Sequence, residues 1–190
     1  TNDAILLDTA GRYTTEDDDH DEWVAFLEQL KKYRSDKPVN GVLVAVSAND
    51  LIDQTEEQIQ ETGKKVRARI DEMQDILQMT LPVYMLFTKM DLVAGFVEFF
   101  GDLKKSERGA PWGATFALNS DKSDPKKMFL AEFEEMAERV YLRSVKRVAA
   151  ERNKDAKERI FFFPREFGEV KRNLAEFMGA AFAPGAGKQP

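Results

Sequence analysis

Near the start of the chain, an acid and a glycine follow directly on an apolar run. The run is Ala4–Leu7, and Asp8, Thr9, Ala10 and Gly11 come next. This pattern is typical of a buried parallel strand that leads into a loop. In such a loop Asp8 could hold Mg²⁺ through water, and Gly11 would let the backbone approach a terminal phosphate. The alternative is an ordinary strand-ending turn, which the same four letters also describe.

A second group of this kind is Thr88-Lys89-Met90-Asp91, which follows the apolar run Val83–Phe87. It resembles the [N/T]-K-x-D element of GTPases. There the lysine stem packs under the nucleotide base, and the aspartate accepts hydrogen bonds from the guanine N1 and N2 groups. The two groups occur in the order of a GTPase, and both end predicted strands. Together they favour a P-loop NTPase fold over two unrelated turns.

The phosphate-binding loop of that fold is missing from this sequence. It would read G-x-x-x-x-G-K-[ST] ahead of the first strand. The nearest match, Gly185–Lys188, has Phe182 in place of the first glycine and Gln189 in place of Ser or Thr. The phosphate cradle and its lysine are therefore absent, together with the strand that carries them. Because the chain starts almost inside a strand, we expect it to be a piece of a longer protein.

The residue after the first motif bears on hydrolysis. Ras-like GTPases place a glutamine there to orient the attacking water. Here the position is Arg12, which could stabilise transition-state charge but cannot accept a hydrogen bond from water. We therefore predict weak or absent hydrolysis. The alternative role for Arg12 is a salt bridge to the acidic run Glu16–Glu22.

Composition excludes several other kinds of site. The 190 residues carry a net charge of −6, which argues against a general nucleic-acid-binding surface. The chain has no cysteine, so disulfides and thiol catalysis are excluded. Its single histidine, His20, lies in the acidic run, where a solvated helix start is the simpler interpretation than a catalytic triad. No apolar run approaches the roughly 18 residues of a membrane span.

Strands and helices must hold these residues in place. A turn at Pro38–Gly41 precedes a second strand, and Pro82 precedes a third. The aromatic stripe of the first helix, formed by Trp23, Phe26, Leu27, Leu30 and Tyr33, faces either the core or a binding groove. Thr55 and Gln58 resemble a capping box for a long helix that ends near Met79. The predicted strands are Ala4–Leu7, Val42–Val46, Val83–Phe87, Trp112–Leu118 and Ile160–Phe163.

The C-terminal third is predicted to add helices. Asp124 as N-cap and Pro125 open a long helix, and an amphipathic helix carries Phe167, Val170, Leu174, Phe177 and Met178. The overall prediction is an α/β fold of the P-loop-NTPase (GTPase-like) type. It has a mainly parallel sheet with flanking helices, no P-loop strand, and C-terminal helical elements. Residues 1–122 would be the NTPase-like core. Residues 123–182 would complete or extend it with a long helix, a strand and a helix, and residues 183–190 would be a flexible tail.

D-T-A-G-R with T-K-x-D resembles the signal-recognition-particle GTPases. Those proteins follow T-K-x-D with a glycine and a glycine-rich closing loop, whereas Leu92 follows Asp91 here. A wider resemblance is to the cytoplasmic region of the TssM family of type VI secretion proteins, also called IcmF. It covers DTAGRYTTEDDD, Gly41–Val46 with Asn49-Asp50-Leu51, LPVYMLFTKMDLVAGFVEFF, Arg108…Trp112-Gly113-Ala114-Thr115-Phe116 and Phe161–Phe167.

The resemblance implies a scaffold protein of the inner membrane that builds the membrane complex of a contractile injection machine. This segment would lie on the cytoplasmic face and need no membrane contact itself. It would link membrane-complex subunits to the baseplate. Asp8 and Gly11 match the Mg²⁺ and γ-phosphate element, and Thr88, Lys89 and Asp91 match the base-contacting element.

Two further expectations accompany the resemblance. The nucleotide site would be degenerate or incomplete in this segment, with no cofactor. The alternative is an active switch or hydrolase in the full-length protein, using Mg-GTP or Mg-ATP and a P-loop upstream of residue 1. The family's aromatic positions Phe96, Phe99, Phe100 and Trp112 would serve packing or docking.

Overall fold

The computed structural model describes residues 5–9, 20–116 and 124–183 of the chain. Two strands, β1 (Val42–Ser47) and β2 (Val83–Thr88), form a parallel sheet within these ranges. A 3₁₀ turn, Met90–Leu92, follows β2. The helices are α1 (His20–Tyr33), α2 (Ala48–Ile52), α3 (Glu56–Leu77), α4 (Phe96–Phe100), α5 (Pro125–Ala150) and α6 (Lys154–Ala181).

Side-chain caps fix where the long helices begin. Ahead of α3, the backbone N–H of Thr55 donates to Gln58 Oε1 at 2.9 Å, and the N–H of Gln58 donates to Thr55 Oγ1 at 3.4 Å. This reciprocal pair is the predicted capping box. Asp124 caps α5 by accepting hydrogen bonds from two N–H groups of its first turn, and Pro125 opens the helix. Both predicted helix starts are confirmed.

The described residues cluster into two compact units. The first contains residues up to Val44 together with Lys64–Tyr84. The indole N–H of Trp23 donates to Glu72 Oε2 at 2.8 Å, which satisfies the one polar atom of this largely buried side chain. The core of this unit is formed by Trp23, Leu27, Met73, Leu77 and Leu81.

The aromatic stripe of α1 faces this core only in part. Trp23 and Leu27 are buried, and Phe26 and Leu30 pack against the core from its edge. Tyr33, at the end of the stripe, is 76% exposed and departs from the prediction. It occupies the last position of the helix, beyond the part that packs on α3.

The second unit contains Ala45–Gly63 and the residues from Met85 onward. Here α5 and α6 pack against each other, joined by the short connection Glu151–Asn153. Ion pairs Lys126–Glu176 and Lys171–Glu134 link the start of α5 to the later part of α6. The two helices are therefore antiparallel, as a short connection between packed helices favours.

Aromatic side chains fill the space between α4, α5 and α6. The rings of Phe133 and Phe167 stack with centroids 4.5 Å apart, and those of Phe99 and Phe163 lie 4.6 Å apart. Trp112 lies 5.2 Å from Phe167. We call this set the aromatic core: Phe96, Phe99, Phe100, Trp112, Phe133, Phe163 and Phe167. Phe96, Phe99, Phe100 and Trp112 of the family resemblance therefore take part in packing, whereas Phe161 and Phe162 are exposed.

The strand predicted at Ile160–Phe163 is wrong, because this segment lies inside α6. Asn153 caps the helix by accepting hydrogen bonds from two backbone N–H groups. Pro164 lacks the N–H that would bond to the carbonyl of Ile160, a substantial local cost. Packing outweighs that cost, because the buried residues Ile160, Phe163, Phe167, Val170 and Leu174 recur at helical spacing. Residues 123–182 thus contain two long helices and no intervening strand between them.

Two further predicted strands are not found in the described residues. Ile5, Leu6 and Leu7 lie outside any strand and are 81%, 75% and 50% exposed. Residues 112–116 also lack strand structure, and the rest of both predicted segments falls outside the described residues. An apolar run specifies a strand only where a neighbouring strand accepts its hydrogen bonds. The observed sheet has β1 and β2, whose predicted positions are confirmed.

None of the helices in the described part of the chain is both long enough and apolar enough to cross a membrane.

Candidate functional site

The candidate site lies where the two parallel strands end. β1 ends at Ser47 and continues into α2, and β2 ends at Thr88 and continues into the 3₁₀ turn. The hydroxyl of Thr88 donates to the carbonyl oxygen of Val46 at 3.3 Å, which ties the end of β2 to that of β1. Because parallel strands end at the same edge of a sheet, the residues after both strands are neighbours.

Lys89 turns the chain sharply at this edge. Its φ of 57° and ψ of 24° are left-handed, which is uncommon for a residue other than glycine. Its ammonium nitrogen lies 3.3 Å from Asp50 Oδ1 and 3.4 Å from Oδ2. The side chains are 53% and 58% exposed, so this ion pair is open to water and weak.

Asp50 is held by the start of α2. Ser47 caps this helix, and its hydroxyl oxygen accepts a hydrogen bond from the backbone N–H of Asp50 at 3.2 Å. A hydrogen bond between the Ser47 side chain and the carboxylate lowers the pKa of Asp50, and the nearby Lys89 lowers it further. The carboxylate is therefore ionised at neutral pH and available to pair with the ammonium group.

Asp91 is an exposed member of the predicted motif. It lies in the 3₁₀ turn and is exposed. Backbone bonds from Leu92 to Lys89 and from Val93 to Met90 close the turn around it, both at 3.1 Å. Its carboxylate makes no hydrogen bond or ion pair with another residue in the described ranges. Its oxygens are free to accept hydrogen bonds from a ligand or a partner.

The other predicted site residues belong to the start of the chain. Asp8 is exposed, lies outside any helix or strand, and belongs to the first unit, whereas Thr88, Lys89 and Asp91 belong to the second. Gly11 and Arg12 lie outside the described residues. The roles predicted for Asp8 and Gly11 at a phosphate, and for Arg12 in hydrolysis, stay predictions.

The sequence analysis did not predict that Asp50 would pair with Lys89. Lys89 follows directly after the end of β2, and Asp50 lies in the helix that follows β1, so the closeness of both residues to predicted strands was the available signal. Pairing depends on the two strands being direct neighbours, which two separated apolar runs do not specify.

Among the described residues, no group of three or more His, Asp or Glu side chains is placed to hold a metal ion. The lysine of the base-contacting element is paired with Asp50. The arrangement can present a carboxylate and an ion pair to a ligand or a protein.

Comparisons with known proteins give one family. The model of the IcmF-related N-terminal domain matches residues 16–190. The type VI secretion system component TssM1 of Pseudomonas aeruginosa is 38% identical over 190 residues, covering 97% of this chain and 17% of that protein. The chain thus spans less than a fifth of the length of this curated relative. No solved structure matches the chain.

Proposed function

The chain belongs to the IcmF-related family, and on that premise we propose that it is an interaction module of a type VI secretion membrane complex. Its place is the cytoplasmic face of the inner membrane. There it links other membrane-complex subunits to the baseplate. Its fold derives from a P-loop NTPase whose nucleotide site is incomplete in this segment, so the segment itself hydrolyses no nucleotide.

One observation supports this proposal more than any other. The lysine of the base-contacting element forms an ion pair with Asp50, which lies in the short helix α2 that follows the neighbouring strand. A lysine stem that packs under a nucleotide base needs its side chain free to lie along the base. In this arrangement the T-K-x-D turn ties two strand ends together, which is a structural role. The missing phosphate cradle agrees with this role.

A second candidate function is a nucleotide switch in the longer parent protein. It is favoured by the position of Asp91, an exposed carboxylate with no partner among the described residues, at the edge where nucleotide-binding sheets hold their ligands. An upstream P-loop would supply the phosphate cradle. Asp91 would then accept hydrogen bonds from guanine, and Lys89 would exchange Asp50 for the base.

Calorimetry with GTP and ATP analogues and Mg²⁺ distinguishes the two functions. It should use the whole cytoplasmic region with its native upstream sequence, beside Asp91→Ala. Asp36→Ala, which removes another exposed aspartate, is the matched control. The interaction module predicts no binding at millimolar nucleotide. Micromolar binding of the guanine nucleotide that Asp91→Ala abolishes and Asp36→Ala retains would overturn it in favour of the switch.

The link to the baseplate needs its own measurement. A tagged full-length parent should retain baseplate subunits on purification from cells. A parent that lacks residues 16–190 should lose them while keeping the other membrane-complex subunits. Equal recovery of baseplate subunits by both proteins would contradict the proposed role of this domain.

A further inference from the structure

The outer side of α5 exposes apolar side chains that no described part of the chain covers. Tyr141, Leu142 and Val145 are 59%, 56% and 56% exposed, whereas Val140 and Ser144 on the opposite side of the helix are buried. Three large apolar side chains on one helical face, at neighbouring positions, indicate a contact surface. This surface uses none of the residues of the sheet-edge site.

Two charges of opposite sign flank this surface symmetrically. Glu138 lies four residues before Leu142, and Lys146 lies four residues after it. Both are exposed, and neither forms a hydrogen bond or ion pair with any other residue that the structure describes. Residues four apart lie on the same helical face. The face therefore shows one row in the order acid, apolar residue, base.

A similar division of charge occurs in the part of the helix after its first turn, which itself carries Lys126 and Lys127. Between Glu132 and Glu138 every charged side chain is acidic, and between Arg139 and Arg147 every charged side chain is basic. The acidic side chains are Glu132, Glu134, Glu135 and Glu138, and the basic side chains are Arg139, Arg143, Lys146 and Arg147. When two such helices pack antiparallel, the acidic half of each lies against the basic half of the other.

We propose that this face of α5 docks on the same face of a second copy of the chain. The two-fold axis passes at Leu142, so the two Leu142 side chains meet. Glu138 of each copy faces Lys146 of the other. Tyr141 and Val145 cover the sides of the contact, and an open cavity of about 500 Å³ beside Leu142 and Lys146 gives room for side chains of the opposing helix.

A second copy fits this face better than an unlike partner does. In a two-fold interface, residue i contacts residue j of the partner and residue j contacts residue i. Glu138 and Lys146 lie at equal spacing on either side of Leu142, and neither is paired within the described residues. A two-fold axis at Leu142 therefore places each of them against the opposite charge of the other copy. A uniformly acidic partner would place a like charge against Glu138, and a uniformly basic one would do so against Lys146.

The contact is expected to be weak. One pair of helices buries less surface than the roughly 800 Å² per partner of a standard stable interface. Covalent trapping is therefore the appropriate assay, and the chain suits it because it contains no cysteine. A cysteine on a two-fold axis meets its own copy, which allows the close approach of Cα atoms that a disulfide needs.

The first test uses Leu142→Cys in the 190-residue chain under mild oxidation. We expect a disulfide-linked dimer, because the two substituted positions meet at the axis. Lys127→Cys, at an exposed position near the start of the same helix, is the control and should stay monomeric. Equal yields of dimer from the two variants, or none from Leu142→Cys, would overturn the proposal and leave the face to an unlike partner.

The second test checks the pairing of the charges. In the Leu142→Cys background, either Glu138→Lys or Lys146→Glu places like charges together twice in a homodimer. Each should slow disulfide formation by about fivefold, given the small energies of exposed charge pairs. Mixing the two variants restores both attractive pairs. The mixed dimer should therefore form as fast as the dimer of Leu142→Cys without a charge reversal. Slow formation in the mixture as well would contradict the two-fold arrangement.

Discussion

The sheet edge and the aromatic core hold their side chains in opposite ways. At the sheet edge, Lys89 and Asp50 are more than half exposed, and Asp91 has no partner in the described part of the chain. In the aromatic core, Phe99 and Phe163 are fully buried, and each ring contacts several others. The residues that resemble a nucleotide site are therefore held loosely, and the aromatic residues are held tightly.

This difference separates residues that shape the domain from residues that could change its chemistry. A buried aromatic side chain contributes several kcal/mol and cannot be altered without a cavity. An exposed ion pair contributes little to the free energy of unfolding. The fold can therefore persist while the T-K-x-D turn binds nucleotide, protein or neither. The following predictions test this contrast, starting with the largest expected effect.

Phe163→Ala should be the most destabilising of these changes. The ring is fully buried and contacts Phe96, Phe99 and Phe167, so its removal leaves a cavity. We expect the free energy of unfolding to fall by about 3–5 kcal/mol, measured by urea denaturation. Phe161→Ala is the matched control on the same helix, because that ring is 63% exposed. Equal losses for the two variants would contradict a core centred on Phe163.

Gly95→Ala should be the next most destabilising change. Gly95 precedes α4 with a φ of +84°, and an added Cβ would lie 2.4 Å from the carbonyl oxygen of Arg159 on α6. We expect a loss of about 1–3 kcal/mol in urea denaturation, since the left-handed backbone and the clash both disfavour alanine. A neutral result would mean that α4 does not approach α6 this closely.

Gly168→Ala is the control for Gly95→Ala, because it should change the free energy of unfolding in the opposite direction. Gly168 lies inside α6, and nothing lies within 4 Å of an added Cβ. Alanine is the better helix former, so the free energy of unfolding should rise by about 1 kcal/mol. The same chemical change thus distinguishes a glycine required by packing from one that is not.

The aromatic core also shows which features a sequence can predict. The caps at Thr55 and Asp124 were predicted, because each depends on residues two or three positions away. The strand at Ile160–Phe163 was wrong, because a proline after an apolar run indicates a strand end locally. The contacts of Phe163 with distant rings reverse that local preference.

At the candidate site, too, features set by nearby residues were predicted, and features set by distant contacts were not. The T-K-x-D turn was predicted at the end of β2, because an apolar run and a polar motif adjoin in the sequence. The partner of Lys89 was not predicted, because Asp50 is 39 residues away and is reached only through the pairing of two strands. The buried side of α5 is indicated by the sequence, because Phe129, Phe133 and Val140 recur at helical spacing, and all three are buried. The exposure of Tyr141 and Leu142 was not predicted, because it depends on which side of α5 is covered by α6.

Asp50→Asn should have the smallest effect, and its pH dependence should identify its cause. The Ser47 hydrogen bond and then Lys89 lower the pKa of Asp50 in the folded state. A lowered folded-state pKa contributes stability above the pKa of the unfolded chain, and this is lost as the pH falls through the folded-state pKa. The wild type should therefore exceed Asp50→Asn slightly at neutral pH.

The difference between the two proteins should vanish in acid, below the ordinary range of aspartate. Urea denaturation at several values between about pH 7 and pH 2 measures it. Asp36→Asn, at an exposed aspartate in the connection after α1, controls for the loss of a carboxylate as such. A difference that stays constant over this range would show that Asp50 acts through packing or helix capping. The ion pair with Lys89 would then make no measurable contribution to the free energy of unfolding.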